Sequence, residues 1–173
     1  MKRARVAYAG AVHDAVAHAD GLRVADGRIV AEDAVVWLPP FQVGSVIALG
    51  LNYADHVKEL SAELTVSAQD EPLAFLKSAS ALIGHRGQTL RPADAKFMHY
   101  ECELAVVIGA RASRVKRADA MRYVAGYTVA NDYAVRDYLE NYYRPNLRVK
   151  NRDTGTVIGP WLVDAADVPD PHA

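Results

Sequence analysis

The stretch HYECELAVVIGA, residues 99–110, decides the fold and the chemistry expected of this chain. From Cys102 onward it is an apolar run rich in β-branched residues, which is typical of a strand. Glu101 and Glu103 lie at the border of the run, where an ionised side chain is costly to bury unless a cation or several donors compensate it. Alternate side chains of a strand share a face, so both glutamates can converge on one ion while Cys102 points the other way.

A third carboxylate, Asp132, ends the next apolar stretch, VAGYTVAND (residues 124–132). Three oxygen ligands without an accompanying histidine favour a hard cation, Mg²⁺ or Mn²⁺, over zinc. In the alternative interpretation, the two glutamates lie on the solvated face of an edge strand and Asp132 begins a turn. The spacing of the acidic residues leaves both interpretations open.

Composition limits the classes of partner. The chain has 173 residues, 51% of them hydrophobic and 24% charged, which suits one core with a small appendage. A net charge of −1 and the lack of a dense basic cluster argue against nucleic acid or an anionic membrane and favour a small molecule. With one cysteine, no signal-like N-terminus and no apolar run of membrane-spanning length, the sequence predicts a cytoplasmic protein.

Turn residues divide the chain into two predicted parts. Residues 1–40 alternate short apolar pieces with turns at Asp20-Gly21 and Asp26-Gly27, which predicts a small N-terminal β lobe. Two prolines then interrupt the pattern, and residues 44–173 form the predicted catalytic domain. The overall class is therefore α+β, predominantly β.

Within the second part, the sequence predicts a buried strand over SVIALGLNY, a short helix over Asn52–Leu60 and a polar loop over residues 61–72. LAFLK, ECELAVVIGA and AGYTVAND are further predicted strands, and Ala118–Val124 is a predicted helix. The chain stops soon after the strand candidate WLV (residues 161–163), which predicts a domain incomplete at its C-terminus.

A second group of residues suits proton transfer and substrate binding. His56 and Glu59 are three apart in the predicted helix and can form a hydrogen-bonded acid/base dyad, or can be an incidental surface pair. Arg136 and Lys150 are cations able to bind substrate carboxylates, or else surface charges. Tyr133 is a candidate for the pocket wall and for substrate binding. His99 and Tyr100, just before the glutamates, are candidates for orienting the carboxylates.

Five motifs occur together in this order: LGLNYADH, EPLAFLK, HYECELAVVIG, YVAGYTVANDYAVRD and KNRDTG. Together they resemble the fumarylacetoacetate hydrolase family over about Val46–Val163. The resemblance implies a mixed β-roll, usually a homodimer, with Mg²⁺ or Mn²⁺ bound by residues matching Glu101, Glu103 and Asp132. It further implies an acid/base role for His56 with Glu59, and substrate contacts from Arg136 and Lys150, with Lys150 also catalytic.

The stretch RDYLENYYRPNLRVKNRD, residues 136–153, is most similar to family members that decarboxylate and isomerise a 2-oxo unsaturated di- or tricarboxylic acid in 4-hydroxyphenylacetate catabolism. The resemblance thus implies a metal-dependent lyase and keto–enol isomerase. The alternatives are an acylpyruvate-type hydrolase that cleaves a carbon–carbon bond, and a catalytically silent structural half. Family members continue beyond this sequence, which implies that a separate C-terminal fragment is a candidate partner.

Overall fold

The computed structural model describes residues 1–60, 73–138 and 147–172. Its strands are β1 (Lys2–Tyr8), β2 (Ala11–His18), β3 (Gly21–Val24), β4 (Ile29–Val30), β5 (Val36–Leu38), β6 (Val46–Gly50), β7 (Leu73–Lys77), β8 (Leu82–Ile83), β9 (Met98–His99), β10 (Cys102–Ile108), β11 (Val124–Asp132), β12 (Ala134–Val135), β13 (Thr156–Ile158) and β14 (Leu162–Asp164). The α-helices are α1 (Ala54–Leu60) and α2 (Leu147–Lys150), and short 3-10 helices cover Ala79–Ala81, Arg117–Tyr123, Arg136–Tyr138 and Ala165–Asp167.

One large sheet organises the described residues. Its strands follow the order β4-β3-β2-β1-β14-β11-β13-β8, with β10 added to β11 and β5 added to β1. All of its pairs are antiparallel except β13 with β8, so the sheet is mixed. β11 is the hub, because β10, β13 and β14 all pair with it. Its last residue, Asp132, is therefore held at a point where several elements meet.

The N-terminal strands form the predicted hairpins. β2 and β3 are joined at Ala19–Asp20, and β3 and β4 at 25–28, so both turns that the Asp-Gly pairs predict are confirmed. The sheet continues past this region, because β1 pairs with β14 through Lys2↔Val163 and Arg3↔Leu162. A boundary near residue 40 stays a prediction.

An apolar core packs against these strands. We call it the N-terminal core, and its buried members are Ala4, Val6, Ala15, Leu22, Val24, Val30 and Trp37. The Trp37 ring packs edge-on against Trp161 and His85, with centroids 5.2 and 5.3 Å apart. Aromatic edges packed in this way add to the free energy of area burial, so Trp37 connects the N-terminal core to the rest of the sheet.

The prediction of a buried strand over SVIALGLNY is wrong in one respect. β6 forms there, but its alternate side chains Ile47 and Leu49 are 66% and 43% exposed. β6 pairs only with β7 among the described residues, and Leu76, the cross-strand partner of Ile47, is 60% exposed. Apolar composition predicts a strand but does not determine how many of its faces are covered.

The predicted helix over Ala118–Val124 is a 3-10 helix, Arg117–Tyr123, one residue earlier than expected. α1 confirms the predicted short helix, and LAFLK forms β7. The predicted loop over residues 61–72 lies outside the described residues. None of the helices in the described part of the chain has the length and apolar character needed to cross a bilayer.

Candidate metal centre

The pairing of β10 with β11 brings the three predicted acidic ligands to one face. In this antiparallel register Glu103 is opposite Ala130, and the Asp132 N–H donates to the Glu101 carbonyl at 2.9 Å. The Asn131 side-chain oxygen accepts a hydrogen bond from the Glu101 N–H at 3.0 Å, which holds the backbone just before β10 in place. Carboxylate oxygens of Glu101, Glu103 and Asp132 all lie within 4.8 Å of one another, so we call these three residues the carboxylate triad.

The triad is partly enclosed. Asp132 is only 2% exposed, whereas Glu101 and Glu103 are half-buried, so solvent reaches the triad from the side of the two glutamates. Cys102 is exposed on the other face of β10, as strand alternation predicts. A site that is closed on one side and open to solvent on the other suits a metal ion, because the ion can take protein ligands on the closed side and water or substrate on the open side.

Two predicted cations reach the triad. The Lys150 ammonium lies 2.5 Å from Glu101 Oε2 and 3.0 Å from Asp132 Oδ2, and it donates to the Asp132 carbonyl at 3.2 Å. Arg136 Nη2 lies 3.2 Å from Glu101 Oε1. Arg136 Nε is buried and finds no acceptor among the described residues. A buried guanidinium donor without an acceptor suits an incoming anion.

A third cation, Lys77, was not predicted. Its side chain is 1% exposed, and its ammonium lies 2.5 Å from Asp132 Oδ1. Thr156 Oγ1 donates to the same oxygen at 3.3 Å. The sequence held a signal for this contact: Lys77 shares a face of β7 with buried Phe75, and a lysine on the buried face of a strand needs a counter-charge.

Burial at the site shifts two pKa values. Burial, with the negative charge of Asp132 adding to it, raises the pKa of the Glu103 carboxyl from 4.5 to about 7. Burial also lowers the pKa of the Lys77 ammonium, although the adjacent Asp132 opposes this shift. Formally, the three carboxylates are balanced by three cations, Lys77, Lys150 and Arg136.

The donor set fits a hard divalent cation. Asp132 Oδ2 is buried and accepts no hydrogen bond from the described residues, since the Lys150 ammonium 3.0 Å away lacks hydrogen-bond geometry. Buried carboxylate oxygens are rarely left in this state without an ion or water. Together with the two glutamate carboxylates, the Asp132 carboxylate offers the all-oxygen ligands that Mg²⁺ and Mn²⁺ prefer.

The other predicted site residues are placed less completely. His56 and Glu59 lie on α1, but their side chains are outside the described part of the structure. Tyr133 is half-buried beside Asp132, and its N–H donates to the Gly155 carbonyl at 3.0 Å. His99 and Tyr100 are exposed, and their predicted role in orienting the carboxylates stays a prediction. Lys77 and Thr156 contact the Asp132 carboxylate.

Residues 45–173 match the sequence profile "Fumarylacetoacetate (FAA) hydrolase C-terminal". The chain is 52% identical over 160 residues to a 4-hydroxyphenylacetate degradation bifunctional isomerase/decarboxylase of Salmonella dublin, covering 89% of this chain and 36% of the relative. It is 55% identical over 133 residues to a homoprotocatechuate catabolism bifunctional isomerase/decarboxylase of Escherichia coli, covering 77% and 30%. The chain thus spans about a third of the length of these curated relatives.

Among solved structures, the chain is similar to a 5-carboxymethyl-2-hydroxymuconate delta-isomerase from Mycobacterium smegmatis. The two share 34% sequence identity with a TM-score of 0.78, over 95% of this chain and 66% of that one. A likeness over nearly the whole chain confirms the predicted fold, a mixed and predominantly β architecture.

Proposed function

We propose a function for this chain from one premise: it belongs to the fumarylacetoacetate hydrolase family. The proposed function is a metal-dependent decarboxylase and keto–enol isomerase of a 2-oxo unsaturated di- or tricarboxylic acid. Relatives with more than half of their aligned residues identical are named as bifunctional isomerase/decarboxylases of 4-hydroxyphenylacetate or homoprotocatechuate catabolism, which supports this assignment. We therefore place the reaction in aromatic-compound catabolism.

The carboxylate triad is the observation that carries the proposal. We propose that Glu101, Glu103 and Asp132 bind one Mg²⁺ or Mn²⁺, because their oxygens lie within 4.8 Å and Asp132 Oδ2 accepts no hydrogen bond from the described residues. When bound, the cation would supply Lewis acidity toward the negative charge that develops on the keto oxygen of a 2-oxo acid.

The charge balance supports an anionic substrate. Three carboxylates already face three cations, so a divalent cation would leave the site with a formal surplus of two positive charges. A substrate with several carboxylates would neutralise this surplus. We propose that Arg136 binds a substrate carboxylate through its unpaired Nε and that Lys150 provides a second positive contact.

Proton transfer is assigned to His56 and Glu59. The two residues are three apart on α1, and side chains at this spacing share a helix face. In the proposed mechanism the Glu59 carboxylate fixes the His56 tautomer, and the imidazole removes and delivers the proton that relocates the double bond. Lys150 assists as a catalytic cation, and Tyr133 forms part of the pocket wall. This assignment is supported by spacing and by the family.

The assembly and the compartment are also part of the proposal. We expect a homodimer, because β10 pairs only with β11 among the described residues and exposes Leu104, Val106 and Ile108 on one face. A cytoplasmic location agrees with the single exposed thiol, Cys102. A separate C-terminal fragment as a partner stays a prediction.

Two alternatives are retained. A hydrolase that cleaves a carbon–carbon bond is favoured by the name of the family profile that the chain matches. A catalytically silent half would be expected to have lost its carboxylates, whereas this chain has the whole triad.

Product analysis separates these functions. The chain, beside a version extended past Ala173, would be incubated with 5-carboxymethyl-2-oxohex-3-ene-1,6-dioate with and without Mg²⁺. Metal-dependent release of carbon dioxide followed by tautomerisation of the diene product supports the proposal. Two acid fragments would identify the hydrolase. Inactivity of both proteins despite metal binding would contradict the assigned substrate.

A further inference from the structure

We propose that Lys77 is the positioning residue of the metal centre, and that its ammonium holds Asp132 by Oδ1 so that Oδ2 faces the cation. The inference rests on the proposed function, since it takes the carboxylate triad to be the metal site. Among the described residues, the Lys77 ammonium forms its ion pair with Asp132 and not with Glu101, and it contacts Lys150 through the backbone carbonyl.

The two oxygens of Asp132 have different surroundings. Oδ1 is anchored by the Lys77 ammonium at 2.5 Å and by Thr156 Oγ1 at 3.3 Å. Oδ2 is buried and accepts no hydrogen bond from the described residues. It lies on the side of Glu101, because the Lys150 ammonium is 3.0 Å from Oδ2 and 2.5 Å from Glu101 Oε2. A carboxylate fixed at one oxygen cannot rotate freely, so its other oxygen is held in the direction of the triad.

Lys77 also fixes the segment that carries Lys150. The Lys77 ammonium donates to the Lys150 carbonyl, at the last residue of α2. Next along the chain, the Asn151 side-chain amide donates to the Leu76 carbonyl at 3.0 Å and accepts from the Ser78 N–H. The last residue of α2 and the residue after it are therefore hydrogen-bonded to residues 76, 77 and 78, at the end of β7 and just beyond it.

These contacts connect β7 to the large sheet. β7 pairs only with β6 among the described residues and is outside the large sheet, whereas Asp132 ends β11 within that sheet. The ion pair between Lys77 and Asp132 joins the two sheets, and the Lys77 side chain is 1% exposed. Lys150 already lies 3.0 Å from Asp132 Oδ2, on the side where the cation is proposed to bind. With a neutral side chain at position 77, Lys150 would be the remaining counter-charge of Asp132 among the described residues.

Metal binding measured without turnover tests the inference. The wild-type chain and three variants would be titrated with Mn²⁺, and the free ion would be followed by electron paramagnetic resonance. Lys77→Met should lower Mn²⁺ affinity by about 10–100-fold, the range found when outer partners of metal ligands are removed. Thr156→Val removes the longer anchor of the same oxygen and should cause a smaller loss. Lys116→Met, at an exposed lysine before the Arg117–Tyr123 helix, is the matched control and should bind as the wild type does.

Restoring the ammonium separates positioning from loss of fold. Lys77→Cys in a Cys102→Ser background would be alkylated with 2-bromoethylamine in denaturant and refolded, which returns an amine at nearly the same distance from the backbone. Affinity should recover to within about three-fold of the Cys102→Ser parent, in line with restored outer-partner contacts.

The outcomes are distinguishable. Failure of the wild type to bind Mn²⁺ would contradict the proposed metal centre itself. Wild-type affinity in a folded Lys77→Met variant would overturn the role of Lys77 and leave the proposed function intact. Should Lys77→Met not fold, unchanged affinity in Thr156→Val together with no recovery on aminoethylation would overturn it.

Discussion

The N-terminal core and the candidate metal centre bury opposite kinds of side chain, although strands of the large sheet contribute to both. The N-terminal core buries aliphatic side chains and Trp37, without a buried charged member. At the metal centre, Lys77, Asp132, Lys150 and Thr156 are all buried polar or charged residues. Burying about 100 Å² of apolar surface stabilises a fold by about 2–3 kcal/mol, whereas a buried ion pair roughly offsets its own desolvation.

This difference separates the source of stability from the source of chemistry. The N-terminal core contributes to the free energy of folding and has no group that could react with a substrate. The metal centre contributes little net stability, and its pKa shifts at Lys77 and Glu103 record the cost of burying charge there. Buried charge that adds little to stability is common at functional sites.

The largest effect is expected from Asp132→Asn. The amide keeps the volume of the side chain but removes the charge that faces both Lys77 and Lys150. We expect Mn²⁺ affinity to fall by more than the roughly 100-fold caused by loss of an outer partner. Unpairing buried Lys77 should also cost about 3–5 kcal/mol of stability. Calorimetric titration and urea unfolding measure the two effects, and retained metal binding would contradict the site.

A comparable loss of stability without loss of metal binding is expected from Leu22→Ala. Leu22 is fully buried in the N-terminal core, and truncation there should cost about 2–5 kcal/mol in the free energy of unfolding. Mn²⁺ affinity should stay within about two-fold of wild type, because distant sites act independently. Leu90→Ala is the matched control, since Leu90 is 73% exposed and should change stability by less than about 0.5 kcal/mol. A large loss of Mn²⁺ affinity in Leu22→Ala would show that the two regions are coupled and would contradict their independence.

The two regions also differ in how far the sequence predicts them. Period-two alternation was sufficient to place Glu101 and Glu103 on one face, and the hairpin turns at Asp20-Gly21 and Asp26-Gly27 formed as local turn chemistry predicts. Both signals are local, because a sequence pattern within ten residues is sufficient to predict which face a side chain takes or where a turn forms.

Contacts between distant parts of the chain were not predictable in this way. Lys77 and Asp132 are 55 residues apart, and nothing in LAFLK alone identifies which carboxylate compensates the lysine. The exposure of Ile47 likewise depends on which elements cover β6. The pairing of β1 with β14 joins residues about 160 positions apart. Long-range pairing follows from the packing of the whole chain, so a single sequence pattern does not specify it.

A moderate effect of pH on metal binding is expected from Glu103. Its folded pKa is raised to about 7, so without metal the folded state binds more protons than the unfolded state between pH 4.5 and 7. The contribution of this group to stability is thus present below pH 4.5 and is lost as pH rises through about 7. A metal ligand must be deprotonated, so Mn²⁺ affinity should rise by up to about ten-fold per pH unit toward pH 7 and then level off.

Titrations at pH 6, 7 and 8, each in two buffers of different ionisation enthalpy, measure the affinity and the protons released. Glu103→Gln is the control, because binding should be weaker and should lose this component of the pH dependence. Equal wild-type affinity at pH 6 and pH 8 would contradict a raised pKa at the metal centre. The N-terminal core lacks a buried titratable group, so Leu22→Ala should keep the wild-type pH profile.

The smallest effect on stability is expected from Val106→Lys on the exposed face of β10. Val106 is 51% exposed, so its replacement should change the free energy of unfolding by less than about 0.5 kcal/mol. A lysine on an edge strand discourages pairing between chains, so the variant should shift the proposed dimer toward monomer in sedimentation experiments. Val12→Lys is the matched control, because Val12 is 55% exposed on β2, which β1, β14 and β11 separate from β10 in the sheet. An unchanged dimer in Val106→Lys would place the interface elsewhere. The apolar side chains exposed on β10 would then be uncovered by a partner, in contrast to those of the N-terminal core, which the chain itself covers.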